Sequence, residues 1–198
     1  MPLWGATDSD ESKPKNLTTA QKKQVFANAS GWVLEAGSAL SGNDNTDADP
    51  EVLVAIGELS TSIGAADITE VEMVTTTADK SEGFTISVRV RYNEPVDVVT
   101  TGGTPTLAVT NGNEGTGTGR GPHSLSYASG TGTNELIFSL AIAAANAATN
   151  ADDVLTVGAQ SIALNSGTIK DASGTASDAA VAISSAQGTA AGSVTVTA

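Results

Sequence analysis

The run FTISVRVR at residues 84–91 constrains the fold of this chain more than any other stretch. Phe84, Ile86, Val88 and Val90 alternate with Thr85, Ser87, Arg89 and Arg91. A period of two sends successive side chains to opposite faces of a pleated strand, one face apolar and the other polar. The pattern predicts a half-buried strand with both arginines in water. Such a strand needs paired neighbours, and the sequence offers them at short intervals. ADITEVEMVTT precedes it; PTLAVTN, HSLSYASG, NELIFSLAI, VLTVGA, SIALN and the terminal SVTVT follow, with Gly- or Asn-rich turns between them. About eight short strands at a spacing of roughly 8–12 residues predict an all-β sandwich.

Composition supports this reading. The chain of 198 residues carries 26 Thr and 21 Gly, while charged residues make up only 16%. Thr suits a pleated, half-buried surface and Gly suits tight turns. Aromatic residues are 4% of the chain, so Val, Ile, Leu and Ala must build the core. The Ala-rich AIAAANAATNADD, residues 141–153, has helix propensity but no apolar face repeating at 3.6, and reads as a strand end running into a loop.

Three regions are expected. Residues 1–16 read as an extended arm with Pro2, Leu3, Trp4 and Pro14 as its docking residues. Trp buries a large area when it finds a groove, and proline lowers the entropy lost on docking. Residues 17–63 read as a small β unit in which GWVLEAG and EVLVAIG form a hairpin; the type of residues 17–28, helix or strand, stays open. Residues 64–198 read as the sandwich.

A formal charge of −13 repels phosphate backbones and excludes nucleic-acid binding by counterion release. No apolar run reaches the ~20 residues of a membrane span, and the polar start MPLWGATDSDESKPK has no signal-peptide pattern. The expectation is a protein folded in a cytoplasm. The absence of cysteine excludes disulfides, thiolate metal sites and cysteine nucleophiles.

NGNEGTGTGRGPHS, residues 111–124, lacks the spacing of a phosphate loop and reads as a long hairpin loop. Its Asn113, Glu114, Arg120 and His123 are candidates for outward contacts. His123, the sole histidine, reads as a solvent-facing loop residue, and no G-x-S-x-G elbow accompanies it. Asn43, Asn45, Asp47 and Asp49 stand at alternate positions, as calcium ligands do, but the glycine of an EF-hand is missing. Asp47 and Asp49 therefore carry a weak calcium expectation against a solvated hairpin tip. Glu94 with Asp97, and Asp152 with Asp153, are carboxylate pairs whose strand neighbours diverge, so no glycosidase-like pair is expected. In sum, an enzyme is not expected. The stretch ALNSGTIKDASGTASDAAVAI, residues 163–183, reads as strand-connecting turns at Asn165–Gly167 and Asp171–Gly174, with Ile169 tucked beneath.

Two resemblances add to this. ISVRVRYNEPVDV, GTPTLAVTN, LSYASGTGTNELIFSLAI and LTVGAQSIALNSGTIKDASG, in this order, resemble the bacterial Ig-like repeats of large surface adhesins over residues 84–183. That resemblance implies an Ig-like Greek-key β-sandwich with an adhesive or structural role. MPLWG followed by GWV resembles the start of virion structural proteins of marine tailed phages, especially cyanobacterial myoviruses. It implies a capsid decoration (cement) protein on the outer surface of the virion, assembled in the host cytoplasm and docked on the major capsid protein or other virion subunits. It also implies many copies on a symmetric lattice, or a homo-oligomer. A neck, tail or fibre-associated protein is the near alternative. An adhesin-like module that binds host-surface polysaccharide is the more distant one.

Overall fold

The computed structural model describes residues 14, 17–112, 122–144, 146, 148–173 and 176–198. The chain is all-β, as its alternation predicts. Its segments divide between a small sheet and a large one, each over its own apolar cluster.

The small sheet comes first. Residues 17–28, open between helix and strand in the sequence, hold both. Helix α1 (Thr19–Lys22) is closed by a capping box in which Thr18 and Gln21 satisfy each other's backbone N–H groups. Strands β1 (Val25–Asn28), β2 (Gly31–Leu34) and β3 (Glu51–Ala55) then form an antiparallel three-stranded sheet. The expected hairpin is therefore part of a meander. Trp32 is fully buried at its centre, with Val25, Leu34, Leu59 and Ile63 around it. A short 3-10 turn, Leu59–Thr61, closes this cluster from below.

The large sheet contains β4 (Ile68–Met73), β5 (Ala78–Asp79), β6 (Phe84–Val99), β7 (Thr106–Asn111), β8 (His123–Ser129), β9 (Thr133–Ile142), β10 (Val154–Thr156), β12 (Thr168–Asp171) and β14 (Ser193–Thr197). Its order is β12-β6-β9-β8-β7-β10-β14-β5, and β4 pairs with β6 off this path. The sheet curls until β5, at its far end, lies against β6 again. A two-stranded ribbon, β11 (Gln160–Ser161) with β13 (Ala182–Ile183), and the helix α2 (Ser185–Ala190) complete the structure. Among the described residues no helix is long and apolar enough to cross a membrane.

Strand β6 is the spine. Ile86, Val88 and Val90 are fully buried, as their spacing requires. The strand runs to Val99, past the end of the alternating stretch. Between Arg91 and Val96 its register against β9 shifts: Arg91 faces Glu135 while Val96 faces Thr133. Tyr92, Asn93, Glu94 and Pro95 fill this bulge. Proline lacks the N–H that a central strand must donate, so a bulge is where it is tolerated. The bulge lets β6 change partners. Before it, β4 pairs through Glu70↔Arg91 and Glu72↔Arg89; after it, β12 pairs through Ile169↔Val98 and Lys170↔Asp97.

The turn at Asn165–Gly167 takes the expected form, while Gly174 of the second expected turn lies outside the described residues. Asn165 and Ser166 adopt left-handed φ of 50° and 69°. The Asn165 Nδ2 group donates to Thr104 O at 2.9 Å and to Thr106 Oγ1 at 3.0 Å. A Cβ on Gly167 would stand 2.3 Å from Gly103 O, so only glycine lets the two loops approach this closely. Ile169 is buried, and Asp171 accepts from Ser173 N at 2.6 Å.

Phe138 on β9 is fully buried and meets Tyr127 edge to face, with ring centroids 6.1 Å apart. Truncating Phe138→Ala removes a large core side chain and should lower unfolding free energy by about 3–5 kcal/mol. Urea unfolding should show a lower midpoint at unchanged slope; a midpoint equal to wild type would contradict this packing.

Candidate functional site

The polar face of β6 is exposed at Thr85 but not at its arginine end. Side-chain exposure is 26% for Arg89 and 11% for Arg91, which corrects the expectation that both arginines are solvated. The reason is tertiary. Alternation puts them on the polar face, but the small N-terminal sheet lies over that face and covers it. Arg91 sits between strands β4 and β9. Its Nη1 meets Glu70 at 3.2 Å, its Nε meets Glu135, and its Nη2 reaches Glu35 of the small unit at 3.4 Å. Nη1 also donates to Lys23 O at 3.3 Å. Arg89 pairs with Glu72 and, at 3.5 Å, with Glu135. Lys23 Nζ closes the cluster on Glu70 at 2.5 Å.

This network forms one wall of a cleft of about 460 Å³ between the small unit and the large sheet. Lys23, Gln24, Glu35, Ser38 and Thr46 line it from one side, and Glu70, Glu72, Arg89 and Arg91 from the other. Gln24 Oε1 and Ser38 Oγ are buried without a hydrogen-bond partner. Burial raises the pKa of Glu35, opposed by the Arg91 charge and reinforced by Glu135. Burial alone would lower the pKa of Arg91, but Glu135, Glu35 and Glu70 hold it above its ordinary value. The cleft thus offers fixed charges of both signs and hydrogen-bonding groups, suited to a small polar ligand.

A second polar cluster lies where the 3-10 turn meets the β6 bulge. Glu94 and Asp171 are buried. Ser173 Oγ lies 2.8 Å from Ser60 O, 3.1 Å from Glu94 Oε2 and 2.7 Å from Asp171 Oδ1. Glu94 Oε1 is buried without a partner. Burial, reinforced by the Asp171 charge, pushes the Glu94 carboxyl up to about 8. Beside it, Asn93 Oδ1 accepts from Asp67 N at 2.8 Å and Tyr92 donates its hydroxyl to Ala180 O at 3.0 Å. Burial also raises the Tyr92 pKa.

The sequence-level candidates fall as follows. Pro14 is buried, and its carbonyl accepts from Leu17 N at 3.4 Å. Pro2, Leu3 and Trp4, and likewise Asn113, Glu114 and Arg120, lie outside the described residues. His123 is not a solvent-facing loop residue: it begins β8, is 6% exposed, and places Nε2 at 3.2 Å from the buried Thr149 Oγ1. Its pairing with Val109 fixes the inward face that Leu125 continues. Asp47 and Asp49 are exposed in a loop of Asx turns, where Asn43 and Asn45 side chains accept from Asn45 N and Asp47 N. Among the described residues no three His, Cys, Asp or Glu side chains converge as metal ligands. Glu94 and Asp97 diverge, one buried and the other exposed. Asp153 turns inward, with its Oδ2 accepting from Asn111 Nδ2 at 2.9 Å and Asn150 N at 2.6 Å, while Asp152 is exposed.

Sequence reasoning missed the arginine network and the burial of Glu94. A signal for the first was present. Glu70 and Glu72 in ITEVEM have the spacing of Arg89 and Arg91, as two strands pairing charge against charge would require. No protein-family model, curated protein or solved structure matches this chain.

Replacing Arg91→Met leaves Glu35, Glu70 and Glu135 without their shared cation. The loss at pH 7 should be about 2–4 kcal/mol, discounted for partial exposure from the value of a fully buried pair. It should shrink toward pH 4 as Glu35, whose pKa burial raises, takes up its proton. Denaturation at both pH values checks this; an equal loss at both would assign the effect to packing of the arginine stem instead.

Proposed function

We propose that this chain is a structural protein of a tailed-phage virion, a capsid decoration protein whose N-terminal part docks on the capsid lattice and whose β-sandwich projects outward. The ordered adhesin-like motifs of residues 84–183 and the MPLWG and GWV segments support the reading. The observation that carries it is the way the small unit joins the sandwich. Lys23 and Glu35 of the small unit bond Glu70 and Arg91 of the large sheet, so an attachment made through the first part orients the second. A displayed domain needs that coupling, because a lattice of fixed orientation gains avidity only where geometry allows simultaneous contacts. The acidic surface keeps such a protein soluble before assembly.

Deleting residues 1–16 should abolish incorporation into particles while the remaining chain stays folded. Imaging of intact particles should place copies over the whole head. Normal incorporation of the truncated chain would sink the anchoring arm, and a few copies confined to neck, tail or fibres would move the protein there.

A second reading, a module that binds host-surface polysaccharide, is favoured by the polar cleft with its partnerless Gln24 and Ser38 oxygens. Titration of the full chain with purified host polysaccharide should then show binding that Gln24→Ala weakens by about tenfold, the loss of one or two good hydrogen bonds. Absence of binding at millimolar sugar removes this reading and leaves the first intact.

A further inference from the structure

The oxygens around Ser173 outnumber the hydrogens available to them. Ser173 Oγ lies within hydrogen-bond distance of Ser60 O, Glu94 Oε2 and Asp171 Oδ1. A hydroxyl carries one hydrogen, and all three neighbours are acceptors when both carboxyls are ionised. Asp171 Oδ1 already receives Ser173 N. Glu94 therefore has to bring the missing hydrogen: protonated, it donates to Ser173 Oγ, and the hydroxyl hydrogen turns toward Ser60 O and Asp171 Oδ1. Among the described residues, the charged groups acting on Glu94 are Asp171 from β12 and Asp67 from the segment before β4, both acidic, and no cation is among them. An ionised Glu94 would stand buried beside them with Oε1 unpartnered.

We propose that Glu94 is a proton-operated latch between the two parts of the chain: protonated, it completes the Ser60–Ser173–Asp171 bonding that fastens the 3-10 turn to the sandwich, and deprotonation releases it. The position gives the latch its reach. Ser60 belongs to the turn that closes the small core, and Ser173 follows β12 at the edge of the large sheet.

The direction with pH follows from linkage. Glu94 titrates near 8 when the junction is closed and near 4.5 when it is open to solvent. Between these values the open form binds fewer protons, so rising pH favours opening by up to about tenfold per pH unit. Below the lower value and above the upper one the dependence vanishes. The latch is tightest in mild acid, loosens through neutrality and reaches its loosest state above pH 8.

Hydrogen exchange on the full-length protein tests this, with rates at Thr61, Ser62, Ala172 and Ser173 corrected for intrinsic pH dependence. Wild type should lose protection there from pH 5 to 8 and level off beyond, whereas Glu94→Gln, neutral at every pH, should give a flat profile. A flat wild-type profile, or a slope that survives in Glu94→Gln, would overturn the proposal. Should the variant fail to fold, the carboxyl carbon resonance of Glu94 in the wild type decides: a midpoint near 8 supports the latch and one near 4.5 refutes it. Calcium chloride at pH 8 should leave protection unchanged; recovered protection would mean that a cation, not a proton, closes the junction.

Discussion

The bulge at Tyr92–Pro95 is the constraint on which the rest of the structure depends. A regular strand sixteen residues long would keep one pair of neighbours and one alternation throughout. Here Pro95 withholds a ladder donor, and the strand answers by turning three consecutive side chains, Tyr92, Asn93 and Glu94, into the interior. Each then fixes a different segment. Tyr92 holds the backbone at Ala180, Asn93 holds the start of the large sheet at Asp67, and Glu94 faces Ser173. The change of partner from β4 to β12 happens across this stretch. One short irregularity thus sets the sheet order and brings the small unit's 3-10 turn within reach of the sandwich.

The sequence made the strands legible because alternation is a local signal. FTISVRVR, PTLAVTN and NELIFSLAI each state which side chains share a face, and those faces are the ones found buried. Alternation does not state what covers the opposite face. Alternation puts Arg89 and Arg91 on the correct side but not in the correct medium, since nothing in their own strand records that β1 and Glu35 cover them. His123 failed for a related reason. The glycine-rich run before it is a loop signal in the sequence, but the start of β8 is set by pairing with Val109, a contact between strands. The turn chemistry of Asn165–Gly167 was legible because it depends on residues adjacent in sequence. The capping box Thr18–Gln21 is equally local and marks the short helix within residues 17–28 that hydrophobic periodicity alone leaves undecided, and Ser184–Gln187 is the same signal for α2, a helix not among the expected elements.

Charge is distributed with the same economy. Only nine residues are basic against 22 acidic, yet Lys23, Arg89 and Arg91 gather at one junction. Strands β4 and β9 supply glutamates directly opposite the arginines, so those pairs are complete within the sheet without the small unit. Lys23 and Glu35 then add a cation and an anion to a cluster that is already nearly neutral. That arrangement lowers the cost of covering charge, because no group is buried alone.

The two contacts between the parts respond to protons in opposite senses. The arginine cluster includes Glu35, whose pKa burial raises, and it loses that ion pair when Glu35 takes up a proton in acid. The Glu94 contact needs its carboxyl protonated and weakens in base. Neither pH extreme therefore removes both. The salt bridges at Lys23 and Arg91 do not involve Glu94, so they do not depend on the hydrogen that the Ser60–Ser173 side needs. Arg91 reaches Glu35, Glu70 and Glu135 together. A covered cation with three carboxylate partners has more to lose by moving than a single hydroxyl with a borrowed hydrogen, and that difference makes the arginine cluster the firmer side of the junction.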